Sequence, residues 1–252
     1  FMLLAGFGIS TFAIRNGSQI RENNEQLNLF ANRVFTINII TTIISCGLLV
    51  IITALPTKVA TYRTIILLQG LTVAMSPLAV DWLYTIEEDF GYITLRSIVI
   101  QLLSLVLMFI FVKSENDVYL YVALTSMSTS LGNIFNFLHS KKYVKLKLVS
   151  DTHWNEYKSS ILLFFVNSIA TIIYINSDTT ILGILKDDYS VGLYSVAVKI
   201  YTIVKQVFNA VIATTIPRLA YLRKNDVKEF ENLTKKMLSI ASICAIPAVV
   251  GF

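Results

Sequence analysis

The chain has 252 residues, a formal net charge of +5 and 55% hydrophobic residues, with a mean hydropathy of +0.66. A soluble domain of this length shows fewer and shorter apolar runs, and the apolar residues here come in continuous blocks rather than strict alternation, which argues against a β-barrel. The positive charge fits loops on the cytoplasmic side of a membrane and implies no nucleic-acid partner, and the isolated Cys46 and Cys244 support neither a disulfide framework nor a metal site.

The expected fold is therefore all-α, a polytopic transmembrane helical bundle with about eight spans of the roughly 20 residues needed to cross a bilayer. The chain begins inside one apolar run and ends inside another, so it reads as a piece of a longer protein, truncated at both ends.

Phe1–Ile14 is the tail of a span, with Gly6 and Gly8 allowing close helix approach. Arg15 follows at once. Gly17–Phe30 is polar, with Arg21 and Glu25 at i,i+4 and Ile20, Leu27 and Phe30 on one side. This pattern predicts a short amphipathic segment at the interface. Ala31–Leu55 is a span and Pro56–Tyr62 a turn containing Lys58. Arg63–Tyr84 is the next span, and Pro77 inside it removes a backbone donor and should kink it. Trp82 and Tyr84 at its far end suit an interfacial belt. Asp81 beside them reads equally as a solvated end charge or a functional group. Thr85–Gly91 is acidic. Tyr92–Val112 is a span with Arg96 near its start, Lys113–Asp117 a loop, and Val118–Leu138 a span carrying hydroxyls, Asn133 and Asn136.

His139–Lys158 is the longest polar connection and holds Lys141, Lys142, Lys145 and Lys147. It divides the chain into 1–140, the end of an N-terminal lobe, a cytoplasmic linker over 141–158, and 159–252, the start of a C-terminal lobe.

Ser159–Leu222 contains two long apolar runs separated by Lys186-Asp187-Asp188. In the first, Asn167, Thr171, Tyr174 and Asp178 recur at helical spacing; in the second, Ser195, Lys199, Thr202 and Gln206 do so. Each set lies on one helix face. Interhelical hydrogen bonds account for the Ser and Thr residues. An ion facing lipid at mid-depth costs about 2.5–3.5 kcal/mol, so Lys199 and Asp178 favour a face turned to protein or to a water-filled cavity. Arg223–Lys236 is polar, and Met237–Phe252 is a final, truncated span.

Arg15, Arg21 and Arg33, the Lys141–Lys158 group and the Arg218–Lys236 group fall on one side if the spans alternate. The positive-inside rule makes that side cytoplasmic. The acidic Glu87–Asp89 turn falls on the same side. No GxGxxG, Walker A, HExxH or nucleophile-elbow pattern occurs. His139 and His153 lack metal-ligand partners at useful spacing. The glycosylation patterns at Asn16 and Asn232 fall on the cytoplasmic side and read as chance.

Phe12-Ala13-Ile14-Arg15 resembles the Tyr-Gly-Ile-Arg motif that closes the second membrane helix of Wzx-type oligosaccharide flippases. Asp81-Trp82-Leu83-Tyr84, Glu87, Tyr92-Ile93 and Val112-Lys113-Ser114 resemble the pattern of that family's first half. Tyr174, Asp178, Leu182-Gly183, Val191-Gly192, Tyr194, Ala197 and Lys199 resemble the opening of its second half, and Pro217-Arg218-Leu219 the end of the next helix. Ala13 stands where the family has glycine, and Asn16 where it commonly has Glu.

The resemblance implies a two-lobed exporter of the multidrug/oligosaccharidyl-lipid/polysaccharide superfamily in the bacterial cytoplasmic (inner) membrane. Such a protein is a transporter and not an enzyme. It moves undecaprenyl-pyrophosphate-linked oligosaccharide for polysaccharide or O-antigen synthesis and needs no cofactor. Its expected partners are the lipid-linked oligosaccharide, membrane lipids and a coupling ion, proton or sodium. A pyrophosphate needs cations, so Lys199 and then Arg15 are expected to meet it. Asn167, Tyr174 and Gln206 are expected to meet sugar hydroxyls. Asp178 is expected to pair with Lys199 in the empty state or to serve coupling, while Lys205, about 120° around the helix, faces another wall or snorkels. The alternatives are a drug or cation antiporter of the same superfamily and a membrane-embedded glycan polymerase, which needs a large extracytoplasmic loop not seen here.

Overall fold

The computed structural model describes residues 1–55, 63–114 and 117–251, and all regular structure among them is helical. The expected turn at Pro56–Tyr62 and part of the Lys113–Asp117 loop lie outside the described residues. The helices are α1 (Met2–Gly6), α2 (Ile9–Gly17), α3 (Asn24–Ala54), α4 (Arg63–Ala74), α5 (Asp81–Ile86), α6 (Phe90–Phe111), α7 (Val118–His139), α8 (Trp154–Leu185), α9 (Asp188–Asn225) and α10 (Val227–Gly251). They form two compact units, Phe1–Phe165 and Val166–Phe252.

The first apolar run is not one continuous helix. Phe7 and Gly8 both take left-handed backbone, with φ of 42° and 71°, and this splits it into α1 and α2. A Cβ on Gly8 would lie 2.6 Å from the backbone nitrogen of Phe165, so glycine here serves both the left-handed turn and the close approach of α8. Phe7 stacks on Phe165 with ring centroids 4.1 Å apart.

The expected amphipathic segment over Gly17–Phe30 is not a separate element. Its middle is a turn, and Asn23 then caps α3 by accepting the Gln26 N–H at 3.1 Å. Leu27 and Phe30 enter the core from the first turns of the long helix. The Arg21–Glu25 pairing is corrected for the same reason: Arg21 lies in the turn before the helix, so the i,i+4 relation is lost, and its guanidinium pairs with Glu88.

The Pro77 kink is present. The run over 63–86 breaks into α4, a 3-10 turn Ser76–Ala79 holding Pro77, and α5, with a bend of 40°. A broken helix frees carbonyls that lipid cannot satisfy. Here α7 supplies the donors: Asn133 Nδ2 donates to the Met75 carbonyl at 3.1 Å and Asn136 Nδ2 to that of Ala79 at 2.6 Å. The two asparagines lie about one helical turn apart, so both reach the same broken segment.

Asp89 caps α6 by accepting the Tyr92 N–H at 3.3 Å. Asp187 caps α9 by accepting the Ser190 N–H at 3.4 Å, so the polar break at 186–188 separates α8 from α9 as expected. In the first unit α3 packs against α1, α2 and α4, α2 against α5, and α7 against α4 and α6. The core draws on α2, α3 and α5 and is closed by Val144 and Ile161. In the second unit α9 packs against α10.

Among the described residues three helices, α3, α6 and α8, are long and apolar enough to cross a membrane, or up to four spans if the bent α4–α5 pair counts as one. The expected count of about eight is not reached by this measure. Two causes are visible. α7 carries five Ser and Thr residues and two Asn that dilute its apolarity, and the first run is divided at Phe7–Gly8.

Candidate functional site

Two polar constellations stand out, one in each unit. In the first unit, Asp81 opens α5, Arg96 lies in the second turn of α6, and Asn136 lies in the last turn of α7. Asn136 Nδ2 donates to Asp81 Oδ1 at 2.7 Å, and the Arg96 guanidinium lies 3.4 Å from the same oxygen. Arg96 also donates to the Gly132 carbonyl at 3.2 Å. The buried Tyr84 hydroxyl donates to the Asn136 carbonyl, and Tyr92 stacks flat on His139 at 3.8 Å. Asp81 is thus neither a free end charge nor an isolated functional group; it joins three helices.

This network was not visible as a unit in the sequence. Its members are 15 to 55 residues apart. Arg96 gave the one usable signal, since a guanidinium inside an apolar run requires a partner.

At the end of this unit that carries Arg21 and the 139–158 connection, the acidic turn is absorbed by neighbours. Tyr143 donates its hydroxyl to Asp89 at 2.6 Å, Lys142 lies 3.7 Å from the same carboxylate, and Glu88 holds Arg21. The Tyr143 hydroxyl, aided by the Tyr92 N–H, keeps the Asp89 carboxyl below its ordinary value, whereas burial pushes Glu87 up. Arg15, at the end of α2, is exposed and its guanidinium lies 6.0 Å from the ring centroid of Phe164.

In the second unit, α8 carries Asn167, Tyr174 and Asp178, and α9 carries Lys199 and Gln206; all five are exposed within the unit. The Tyr194 hydroxyl donates to Asp178 Oδ2 at 3.0 Å. The expected Asp178–Lys199 pair is not made: no ion pair engages Lys199 among the described residues. The hydroxyls of the two stripes mostly bond back along their own helices, Thr171 to the Asn167 carbonyl at 2.8 Å, Ser195 to Val191 at 2.7 Å and Thr202 to Val198 at 2.7 Å.

The Asp178–Tyr194 bond ties α8 to α9 near the break that joins them. Asn167, Tyr174, Lys199 and Gln206 lie farther along the two helices, and among the described residues no ion pair joins any two of them. Arg15 belongs to the other unit.

What these exposed side chains of α8 and α9 offer chemically is an ammonium outside any ion pair, a phenol, two amides and a hydrogen-bonded carboxylate. Such a set can hold a phosphate by charge and sugar hydroxyls by hydrogen bonds.

Among known proteins, the sequence matches the family described as polysaccharide biosynthesis protein over residues 1–223. Neither the curated proteins nor the solved structures contain a match. The match covers both constellations, and with the apolar helices above it marks a membrane protein of polysaccharide synthesis. The chain belongs to the polysaccharide biosynthesis protein family.

Proposed function

We propose that the protein is a flippase that carries undecaprenyl-pyrophosphate-linked oligosaccharide across the bacterial inner membrane, and that it crosses that membrane many times, with about eight spans in this stretch. The observation that carries this reading is the family match over residues 1–223. The exposed Asn167 and Tyr174 on α8 and Lys199 and Gln206 on α9 support it, because a phosphorylated sugar headgroup requires a cation and hydrogen-bonding groups.

In this reading Lys199 contacts the pyrophosphate, with Arg15 as a second cation. Asn167, Tyr174 and Gln206 meet the sugar, and Asp178 takes part in proton or sodium coupling. Transport proceeds by alternating access of two lobes. A negative cell interior favours outward passage of an anion by about 2.3 kcal/mol per charge per 100 mV. The protein acts as a transporter and makes or breaks no covalent bond in its substrate.

The test is rescue of a strain lacking its own flippase. Restored surface glycan supports the proposal. Failure to restore it, together with uptake or efflux of an organic cation by the purified protein in vesicles, replaces it with an antiporter.

A further inference from the structure

The connection between α7 and α8 is an ordered strap whose side chains alternate. After the 3-10 turn Ser140–Lys142, Val144 is buried in the core and Leu146 packs against it, while Lys145 and Lys147 are exposed. This is the period of two of an extended chain. The strap is fastened to α3 by its backbone. Lys147 donates its N–H to Asn32 Oδ1 at 2.7 Å, and Val149 donates its own to Thr36 Oγ1 at 3.1 Å. Lys142 is engaged by Asp89. Among the described residues, no ion pair engages Lys141, Lys145 or Lys147.

The depth of these lysines follows from α3. That helix has 31 residues, about 46 Å at 1.5 Å rise, longer than the roughly 30 Å hydrocarbon core. Its last charge is Arg33, and the charge-free stretch Val34–Ala54 spans about 31 Å, matching the core by itself. The hydrocarbon boundary therefore falls near Arg33. Lys147 is fastened at Asn32, just outside that boundary, from which its side chain reaches the level of the lipid phosphates.

We propose that residues 141–147 form a binding site for anionic phospholipid headgroups of the leaflet on this side, contacted by Lys141, Lys145 and Lys147. Fixed cations at phosphate depth are complementary to a phosphodiester carrying net negative charge. The buried Val144 and the two backbone bonds to α3 hold the strap that carries them. The inference rests on the membrane embedding of α3 and not on the substrate proposed above.

The test uses the full chain in phosphatidylcholine bilayers. Electron spin resonance measures association of spin-labelled phosphatidylglycerol relative to spin-labelled phosphatidylcholine. The wild type should prefer the anionic lipid, and high salt should weaken the preference. A lysine near a charged surface contributes about 1 kcal/mol, or about fivefold. Lys145→Gln should therefore lower the preference severalfold, and Lys141→Gln, Lys145→Gln and Lys147→Gln together should bring it close to unity. The triple Lys→Arg variant should retain it and shows that the fold tolerates substitution. Unchanged selectivity in the Gln variants overturns the proposal. Loss of wild-type selectivity to inorganic phosphate at constant ionic strength also overturns it, because the strap is then a site for soluble anions.

Discussion

The Tyr194 hydroxyl on α9 lies 3.0 Å from the Asp178 carboxylate on α8, and this one bond both joins the two helices and occupies the carboxylate expected to neutralise Lys199. Lys199 is left available to an external anion. If Asp178 and Tyr194 act together in transport, their effects are not independent. Tyr194→Phe and Asp178→Asn should each lower surface glycan in a rescued strain, and the double variant should be no worse than the more impaired single one. Effects that simply multiply would show that the bond is idle.

Asn136 is the most consequential side chain of the first unit. It is fully buried and its amide serves both Ala79 and Asp81. Asn136→Leu removes both donors and leaves a part-buried carbonyl and the Asp81 carboxylate without them, a loss of roughly 1–3 kcal/mol. The expected result is a clear drop in the thermal unfolding midpoint of the detergent-solubilised protein. Ser130→Ala, which removes only a bond to its own helix, should change it little.

Gly8→Ala tests the break between α1 and α2. The left-handed backbone at φ 71° costs a Cβ-bearing residue about 1–2 kcal/mol, and overlap with Phe165 adds to it. Destabilisation of at least about 2 kcal/mol is expected, read from the same unfolding midpoint. Gly6→Ala should be neutral, because a Cβ there meets nothing within 4 Å.

These positions show what the sequence makes legible. The apolar runs that became α3, α6 and α8 are visible because length and composition alone define them. The Pro77 bend and the Lys186–Asp188 break are visible because proline and a capping Asp act locally. The partners of Asp81, Arg96 and Asn136 depend on three separate helices meeting, and no local spacing encodes that. The Phe7–Gly8 turn was hidden because a glycine in an apolar run reads equally as a packing residue. Arg21 misled because its i,i+4 relation to Glu25 exists only if the helix begins before residue 21. In the second unit the stripe positions were legible, but the pairing within it was not. Asp178 and Lys199 matched by charge, whereas the structure sets Asp178 against Tyr194.

The acidic turn gives opposite pH signatures at two neighbouring residues. Tyr143 holds the Asp89 carboxyl below its ordinary 3.8, so its contribution is present above about that value and is lost as pH falls through the depressed one. Tyr143→Phe should therefore destabilise the protein at neutral pH, with the difference from wild type shrinking at the acid end. Burial raises Glu87 above its ordinary 4.5, so its ionisation works against the fold as pH rises. Glu87→Gln should stabilise at neutral pH and have no effect in acid. Unfolding midpoints across the acid-to-neutral range check both signs.

The most direct measurement is surface glycan in a flippase-deficient strain expressing the Lys199→Ala variant at wild-type membrane levels. Near-complete loss of export, with the unfolding midpoint unchanged and with Lys205→Ala still exporting, is the predicted result. Full export by Lys199→Ala would contradict the account, because it would leave the pyrophosphate without the cation on which the proposed pathway depends.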